Sequence, residues 1–265
     1  MNGIVGGNSR YKRASDMRVV PVPCLKDNFA YLVIDEASRR CAVVDPGEAP
    51  PVEAALAKEN VQLVAVWATH HHHDHVGGIA ELAKKHSGLQ VAIGEGDAAK
   101  VATATTKLAD GAEFTLGDLR GKVIHNPGHT LGAITYVIDG CAFTGDTLFS
   151  AGCGRLFEGD AAMMFASLQK LAALPPDTRV YFGHEYTANN LRFAAAVEPD
   201  NAAVAGRAGA LASPSTPSTI ADERATNPFL RAAEPAVIAA ARARGAAGDP
   251  VSVFAAIRSW KDGFR

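Results

Sequence analysis

The stretch His70-His71-His72-His73-Asp74-His75 places five imidazoles and a carboxylate in six residues, directly behind the apolar run Leu63 to Ala68. That run has the length and composition of a buried strand. The chain must therefore fold so that the end of a core strand delivers a cluster of metal-binding side chains. In an extended segment residues two apart share a side, so His70 and His72 can reach one ion. Asp74 and His75 open the helical pattern that follows, where adjacent side chains diverge and can face a second ion. Histidine runs also occur as purification tags or as surface tracts that sequester metal. An internal position, an apolar strand in front and Asp-His behind argue against both.

Further candidate ligands stand at the ends of other predicted strands. Ala133 to Ile138 and Cys141 to Thr144 read as strands joined by Asp139-Gly140, a two-residue hairpin signal, and Asp146 follows the second. His184 follows a strand predicted over Arg179 to Phe182. His129 stands in the loop opened by Asn126-Pro127-Gly128, after a strand predicted over Lys122 to His125. Each residue alone is a weak signal, but their convergence at strand ends is the arrangement of a catalytic site. Zn²⁺ and similar ions favour such neutral imidazoles and carboxylates, and two ions sharing an oxygen lower its pKa toward neutrality. A hydroxide so formed needs no Ser or Cys nucleophile. Cys153 has no evident base and reads as a buried thiol. His86 and His125 read as ordinary histidines, and Asp45 as a turn residue able to hydrogen-bond a ligand from behind.

The remaining pattern alternates strands and helices up to His184. Val19 to Val22, Ala30 to Ile34 and Cys41 to Val44 predict an antiparallel meander closed by Asp45-Pro46-Gly47. Val52 to Lys58, His75 to His86 and Met163 to Leu174 predict helices, and Gln90 to Ile93 and Glu113 to Leu116 two more strands. Beyond, β-branched runs vanish and prolines punctuate Ala-rich helical stretches. The expected organisation is a flexible extension over residues 1–16, a catalytic unit over 17–185 and a helical unit over 186–265.

The 265 residues carry a net charge of −2, with 48% hydrophobic and 20% charged residues. Such a balance gives no global pull toward nucleic acid, so an anionic ligand needs a local Lys or Arg cluster. No apolar run approaches the roughly 18 residues of a membrane span. Residues 1–16 lack the apolar centre of a secretory signal. Cys24, Cys41, Cys141 and Cys153 form no Cys-x-x-Cys pair and read as free thiols. A soluble, cytoplasmic monomer is the expectation.

Thr69-His70-His71-His72-His73-Asp74-His75, Gly128-His129-Thr130, Gly145-Asp146-Thr147 and Gly183-His184 together resemble the metallo-β-lactamase superfamily. The resemblance implies an α/β (α+β) fold, an αβ/βα sandwich of two face-to-face sheets with flanking helices. It implies that His70, His72 and His129 hold one metal and Asp74, His75 and His184 the other, with Asp146 between them. His71 and His73 are the variable positions of that motif. Asp146 and Asp74 would then serve catalysis through the shared hydroxide.

Narrower likeness comes from Asp27-Asn28-Phe29-Ala30-Tyr31, Phe143 to Arg155, Gly183-His184-Glu185-Tyr186-Thr187, Thr226-Asn227-Pro228-Phe229-Leu230-Arg231 and Arg258-Ser259-Trp260-Lys261-Asp262. These are similar to the glyoxalase II (hydroxyacylglutathione hydrolase) family over Met17 to Arg265. The resemblance implies hydrolysis of S-D-lactoylglutathione to D-lactate and glutathione, with two divalent ions per chain, zinc foremost and iron or manganese as alternatives. It implies glutathione contacts from Arg155, Phe157 and Tyr186, and from Arg258 and Lys261, whose spacing of three sets both on one helix face. Phe157 stands where the family often has tyrosine, and Ala133 where many relatives carry histidine. The rivals are an iron-dependent persulfide dioxygenase of the same fold and a non-catalytic metal- or glutathione-binding protein.

Overall fold

The computed structural model describes residues 17–264; the expected N-terminal extension, residues 1–16, lies outside them. The chain opens with β1 (Met17–Cys24), β2 (Asn28–Asp35) and β3 (Arg40–Val44), the antiparallel meander expected from the sequence. Helix α1 (Ala49–Glu59) leads to β4 (Gln62–Ala68), which lies parallel to β3. Two short helices follow, α2 (His73–Val76) and α3 (Ile79–Lys85), then β5 (Gln90–Gly94) and β6 (Thr106–Leu108). These strands form a six-stranded sheet in the order β1-β2-β3-β4-β5-β6.

Next come β7 (Glu113–Leu116), β8 (Leu119–His125), β9 (Ile134–Ile138), β10 (Cys141–Gly145) and the small ribbon β11 (Leu148–Phe149) with β12 (Gly152–Cys153). Helix α4 (Ala161–Ala172) precedes β13 (Arg179–Phe182). The C-terminal part contains α5 (Thr187–Val197), α6 (Ala202–Gly209), β14 (Ser218–Thr219), α7 (Ile220–Thr226), α8 (Pro235–Arg242) and α9 (Pro250–Gly263). The second sheet runs β14-β13-β10-β9-β8-β7.

Strand β2 is buried along its whole length because each face has its own core. Tyr31 and Val33 join Trp67, Tyr136, Phe143 and Phe182 in one cluster. Ala30, Leu32 and Ile34 join Val52, Leu56, Ile79 and Leu82 of α1 and α3 in another. The alternation is the period of two that a strand imposes. In β4 the parity changes at a register shift near Val64, so Leu63 faces the helices whereas Ala65 and Trp67 face the first cluster. Each fully buried Leu or Ile here contributes about 1.5–3 kcal/mol over leaving it in water. The first cluster continues through Met164 and Leu168 of α4 to Phe193, Phe229 and Phe254, so the C-terminal helices share it. The architecture is the expected sandwich with a helical C-terminal part.

One expectation needs correction, and two short strands add to the expected pattern. The helix predicted over His75 to His86 is two helices, broken at Gly77-Gly78. A Cβ at Gly77 would lie 2.6 Å from the Gly47 carbonyl oxygen, and one at Gly78 2.6 Å from the Glu48 carbonyl carbon, so tertiary contact decides the break. Strand β6 was not anticipated, since three residues carry too little periodicity. The C-terminal part is not wholly helical: Ser218 and Thr219 pair with Val180 and Arg179 before the Thr219 side chain caps α7. Among the described residues no helix is long and apolar enough to cross a membrane.

Candidate active site

The seven predicted ligands come from five segments and meet at one end of the two sheets. His70 and His72 leave the end of β4, and Asp74 and His75 lie in α2. His129 sits between β8 and β9, Asp146 follows β10, and His184 follows β13. Two glycines let these segments approach. Gly145 takes a positive φ of 48°, and a Cβ there would lie 2.2 Å from Thr69 Oγ1. A Cβ at Gly183 would lie 2.3 Å from Asp146 Oδ1 and 2.7 Å from His75 Cε1.

His70, His72 and His129 form one triad: His72 Nδ1 lies 3.1 Å from His70 Nε2 and 3.0 Å from His129 Nε2. Asp74, His75 and His184 form another, with Asp74 Oδ2 at 3.3 Å from His184 Nε2 and 3.6 Å from His75 Nε2. Asp146 stands between them. Its Oδ2 is 3.4 Å from both His129 Nε2 and His184 Nε2, and its Oδ1 is 3.3 Å from His75 Nε2. His75 Nε2 and Asp146 Oδ1 are buried without a hydrogen bond. Nitrogens bound tetrahedrally at 2.0–2.1 Å stand roughly 3.3 Å apart, so the imidazole spacings of the first triad suit an ion. The donor set and the two orphaned atoms fit a pair of divalent cations.

The outward ring nitrogens are held by partners that fix which nitrogen faces in. His75 Nδ1 meets Asp45 Oδ2 at 3.0 Å, His184 Nδ1 meets Asp27 Oδ1 at 2.9 Å, and His129 Nδ1 meets the Arg155 carbonyl at 2.9 Å. Thr69 Oγ1 donates to Asp45 and so accepts from His70 Nδ1 at 3.0 Å. An imidazole that donates behind presents a lone pair in front. Asp45 therefore has the supporting contact expected of it. Asp27 and Asn28, whose side-chain amide donates to Asp74 Oδ2 at 3.0 Å, were visible only as part of a likeness. Nothing local in the sequence marks them, because backbone bonds from Phe29 to Gly183 and from Glu185 to Asp27 bring their turn beside His184.

The electrostatics divide along the same lines. Burial drives His70 well down, and it lowers His72 and His129 as well, so these three favour the neutral state of a ligand. For His184 burial opposes charge, yet the bonds to Asp146 and Asp74 prevail and raise it to about 10. His75 is also raised, burial being outweighed by Asp146 and Asp45. Burial resists ionisation of Asp146, but the neighbouring His75 and His184 hold it well below the usual carboxylate range. Positive charge is thus demanded around Asp146.

A cleft of about 570 Å³ opens over both triads. Arg155, Arg258, Lys261 and Asp262 line it too, with Phe149, Phe157 and Tyr186 as aromatic walls. Tyr186 stacks on His184 with centroids 4.8 Å apart and planes 5° apart, and the Phe157 ring lies 5.1 Å from that of His129. Arg258 is buried, its Nη1 donating to the Cys153 carbonyl at 2.8 Å and its Nη2 to Asp262 at 3.1 Å, while Nε has no partner. Lys261 Nζ donates to the Asn189 carbonyl at 3.2 Å, and Arg155 is exposed, 3.8 Å from Asp262. All five predicted substrate residues therefore share the cleft. Glu223 and Asn227 pin the ribbon loop beneath it: Ala151 N donates to Glu223 at 2.7 Å, and Asn227 Nδ2 to the Gly152 carbonyl at 2.9 Å. His73 is exposed, His71 turns to Asp97, His86 pairs with Glu53, and His125 bonds the Leu131 carbonyl, so none joins the centre. The four cysteines are free and buried.

Residues 26–184 match the metallo-beta-lactamase superfamily, and residues 185–264 match the hydroxyacylglutathione hydrolase C-terminus. A hydroxyacylglutathione hydrolase of Alkalilimnicola ehrlichii is 49% identical over 252 residues, covering 92% of this chain and 98% of the relative. Among solved structures, ETHE1 from Myxococcus xanthus aligns with a TM-score of 0.66 at 27% identity, over 92% of this chain and 89% of that one. TTHA1623, solved in a di-iron-bound form, aligns with a TM-score of 0.60 at 27% identity, over 80% and 100%. A match that runs through both the ligand-bearing sandwich and the helices closing the cleft leaves one assignment: the chain belongs to the hydroxyacylglutathione hydrolase family of the metallo-β-lactamase superfamily.

Proposed function

We propose that this chain hydrolyses S-D-lactoylglutathione and related 2-hydroxyacylglutathiones to the 2-hydroxy acid and glutathione, the second step of methylglyoxal detoxification. The observation that carries the reading is one cleft lined by His72, Asp74, His129, Asp146 and His184, with Arg258 and Lys261 on its wall. His70, His72 and His129 would hold one divalent ion and Asp74, His75 and His184 the other, with Asp146 shared. We favour zinc, since imidazole and carboxylate ligands suit it; iron and manganese fit the same donors. When bound, such ions supply a Lewis acid for the thioester carbonyl and water activated at neutral pH.

The chain's own groups account for the rest. Asp146 and Asp74 stay ionised and orient the attacking water as acceptors; Asp74 is held low chiefly by its bond from His184. Glutathione carries two carboxylates, and Arg155, Arg258 and Lys261 are cations that can grip them. Anchoring the tripeptide there sets the acyl carbon over the donors, which lowers the entropic part of the barrier. Phe157 and Tyr186 flank the substrate chain. Water adds to the carbonyl carbon, the C–S bond breaks, and the departing thiolate takes up a proton. A thiol of pKa about 8.5 leaves without a strong general acid.

In this reading residues 17–185 supply the chemistry together with Arg155 and Phe157 of the substrate grip, and 186–265 supply the rest of that grip. The reaction runs in the cytoplasm, in keeping with four free buried thiols, and one chain holds every site residue, so a monomer suffices. The test is a hydrolysis assay of metal-loaded protein on S-D-lactoylglutathione beside an acyl thioester lacking glutathione. Turnover of the first with little of the second is expected. Oxygen uptake with glutathione persulfide and no thioester hydrolysis would overturn the reading.

A further inference from the structure

We propose that Asp97 is a positioning residue that locks the two loops bearing His70, His72 and His129, and so governs the affinity of that triad's ion without touching a ligand ring. The inference rests on the ligand assignment above. Asp97 is fully buried just beyond β5, far in sequence from every predicted ligand. Its Oδ2 accepts from the His71 backbone N–H at 3.2 Å and from Thr130 Oγ1 at 2.8 Å, and lies 3.0 Å from His71 Nδ1. His71 lies between two members of the triad and Thr130 follows the third. One carboxylate oxygen therefore ties the β4 loop to the β8–β9 loop.

The surroundings press both loops onto it. A Cβ on Gly132 would lie 2.3 Å from Asp97 N and 2.5 Å from its Oδ1, so the β8–β9 loop rests directly against this residue. Lys100 Nζ lies 3.8 Å from Asp97 Oδ1 and 2.5 Å from Glu158 Oε1. Glu158 in turn accepts from Leu131 N at 2.8 Å, and it adjoins Phe157, whose ring abuts His72 and His129. The second triad is held by other groups: its imidazoles from behind by Asp45 and Asp27, and Asp74 by the Asn28 amide. This asymmetry gives His71, a position that binds no metal in the assigned ligand set, a function.

The test is metal titration against a chromophoric chelator, using zinc and the full chain, for wild type, Asp97→Asn and Thr130→Val. Asp97→Asn keeps the shape while removing charge and one acceptor face, and Thr130→Val removes a single donor. We expect one of the two ions to bind 10–100-fold more weakly in Asp97→Asn, the range for losing a group behind a metal ligand. Thr130→Val should weaken the same ion by less, and the other ion should bind as in wild type. Wild-type affinity for both ions in Asp97→Asn, or equal loss of both, overturns the proposal. Because the readout is zinc and not thioester turnover, a chain that binds two ions but hydrolyses another substrate would refute the proposed function and leave this inference standing.

Discussion

His75 Nδ1 lies 3.0 Å from Asp45 Oδ2, and the same oxygen accepts from Thr69 Oγ1 at 2.6 Å while Asp45 Oδ1 accepts from Thr69 N at 2.7 Å. One buried carboxylate thus aligns a ligand of the second triad and, through Thr69, His70 of the first. Asp45 holds this place in a left-handed backbone, with φ at 48°. Asn tolerates that conformation, whereas Ala incurs roughly 1–2 kcal/mol of strain and leaves Thr69 donors unpaired at about 1–3 kcal/mol. Asp45→Asn is expected to weaken zinc by about 10–100-fold with a small change in Tm. Asp45→Ala should lose both metal and several degrees of Tm, read by chelator competition and thermal melts.

If the proposed function holds, Arg258 should separate substrate grip from chemistry. It lines the cleft while committed to Cys153 and Asp262, and its Nε is buried without a partner. Arg258→Ala is expected to raise KM by about tenfold or more, the loss of about 1.4 kcal/mol or more, with kcat within twofold. It also strips the Cys153 carbonyl of a charged partner, so Tm should fall. A drop in kcat at unchanged KM would assign Arg258 to the reaction centre instead.

If the proposed function holds, Lys261 should set a pH limit on binding. Burial, with the charges of Arg258 and Arg192 adding to it, lowers its amine to about 8. The ammonium is therefore present below that pH and lost above it. Asp262 and Cys153 are the other titratable groups near it, and burial raises the Cys153 thiol. Tyr186, pushed up to about 12 by burial, does not titrate in this range. As pH rises through about 8, kcat/KM is expected to fall while kcat holds, since kcat/KM reports the free enzyme. Lys261→Arg should abolish the fall; an unchanged profile would remove Lys261 from substrate binding.

What the sequence revealed and what it withheld follow from the range of the interactions. The Asp139-Gly140 turn and β13 were readable because local chemistry sets them, and both stand where expected. The ligand set drew on residue type and spacing, and all seven side chains converge. The break at Gly77-Gly78 was hidden because the contact lies with Gly47 and Glu48, some thirty residues earlier. Asp27, Asn28 and Asp97 were missed as functional groups for the same reason. Each is an ordinary polar residue in or beside a turn, and only the fold brings Asp27 and Asn28 against His184 and Asp74, and Asp97 between two loops.

The central claim is that Asp146, within 3.4 Å of His75, His129 and His184, joins two metal-binding triads into one hydrolytic centre. The direct measurement is steady-state hydrolysis of S-D-lactoylglutathione by metal-loaded wild type and Asp146→Ala, with zinc counted per chain in the same samples. The account predicts two ions and turnover in wild type, and in the variant a lost or weakened ion with hydrolysis at background. Turnover near the wild-type rate in Asp146→Ala would contradict it.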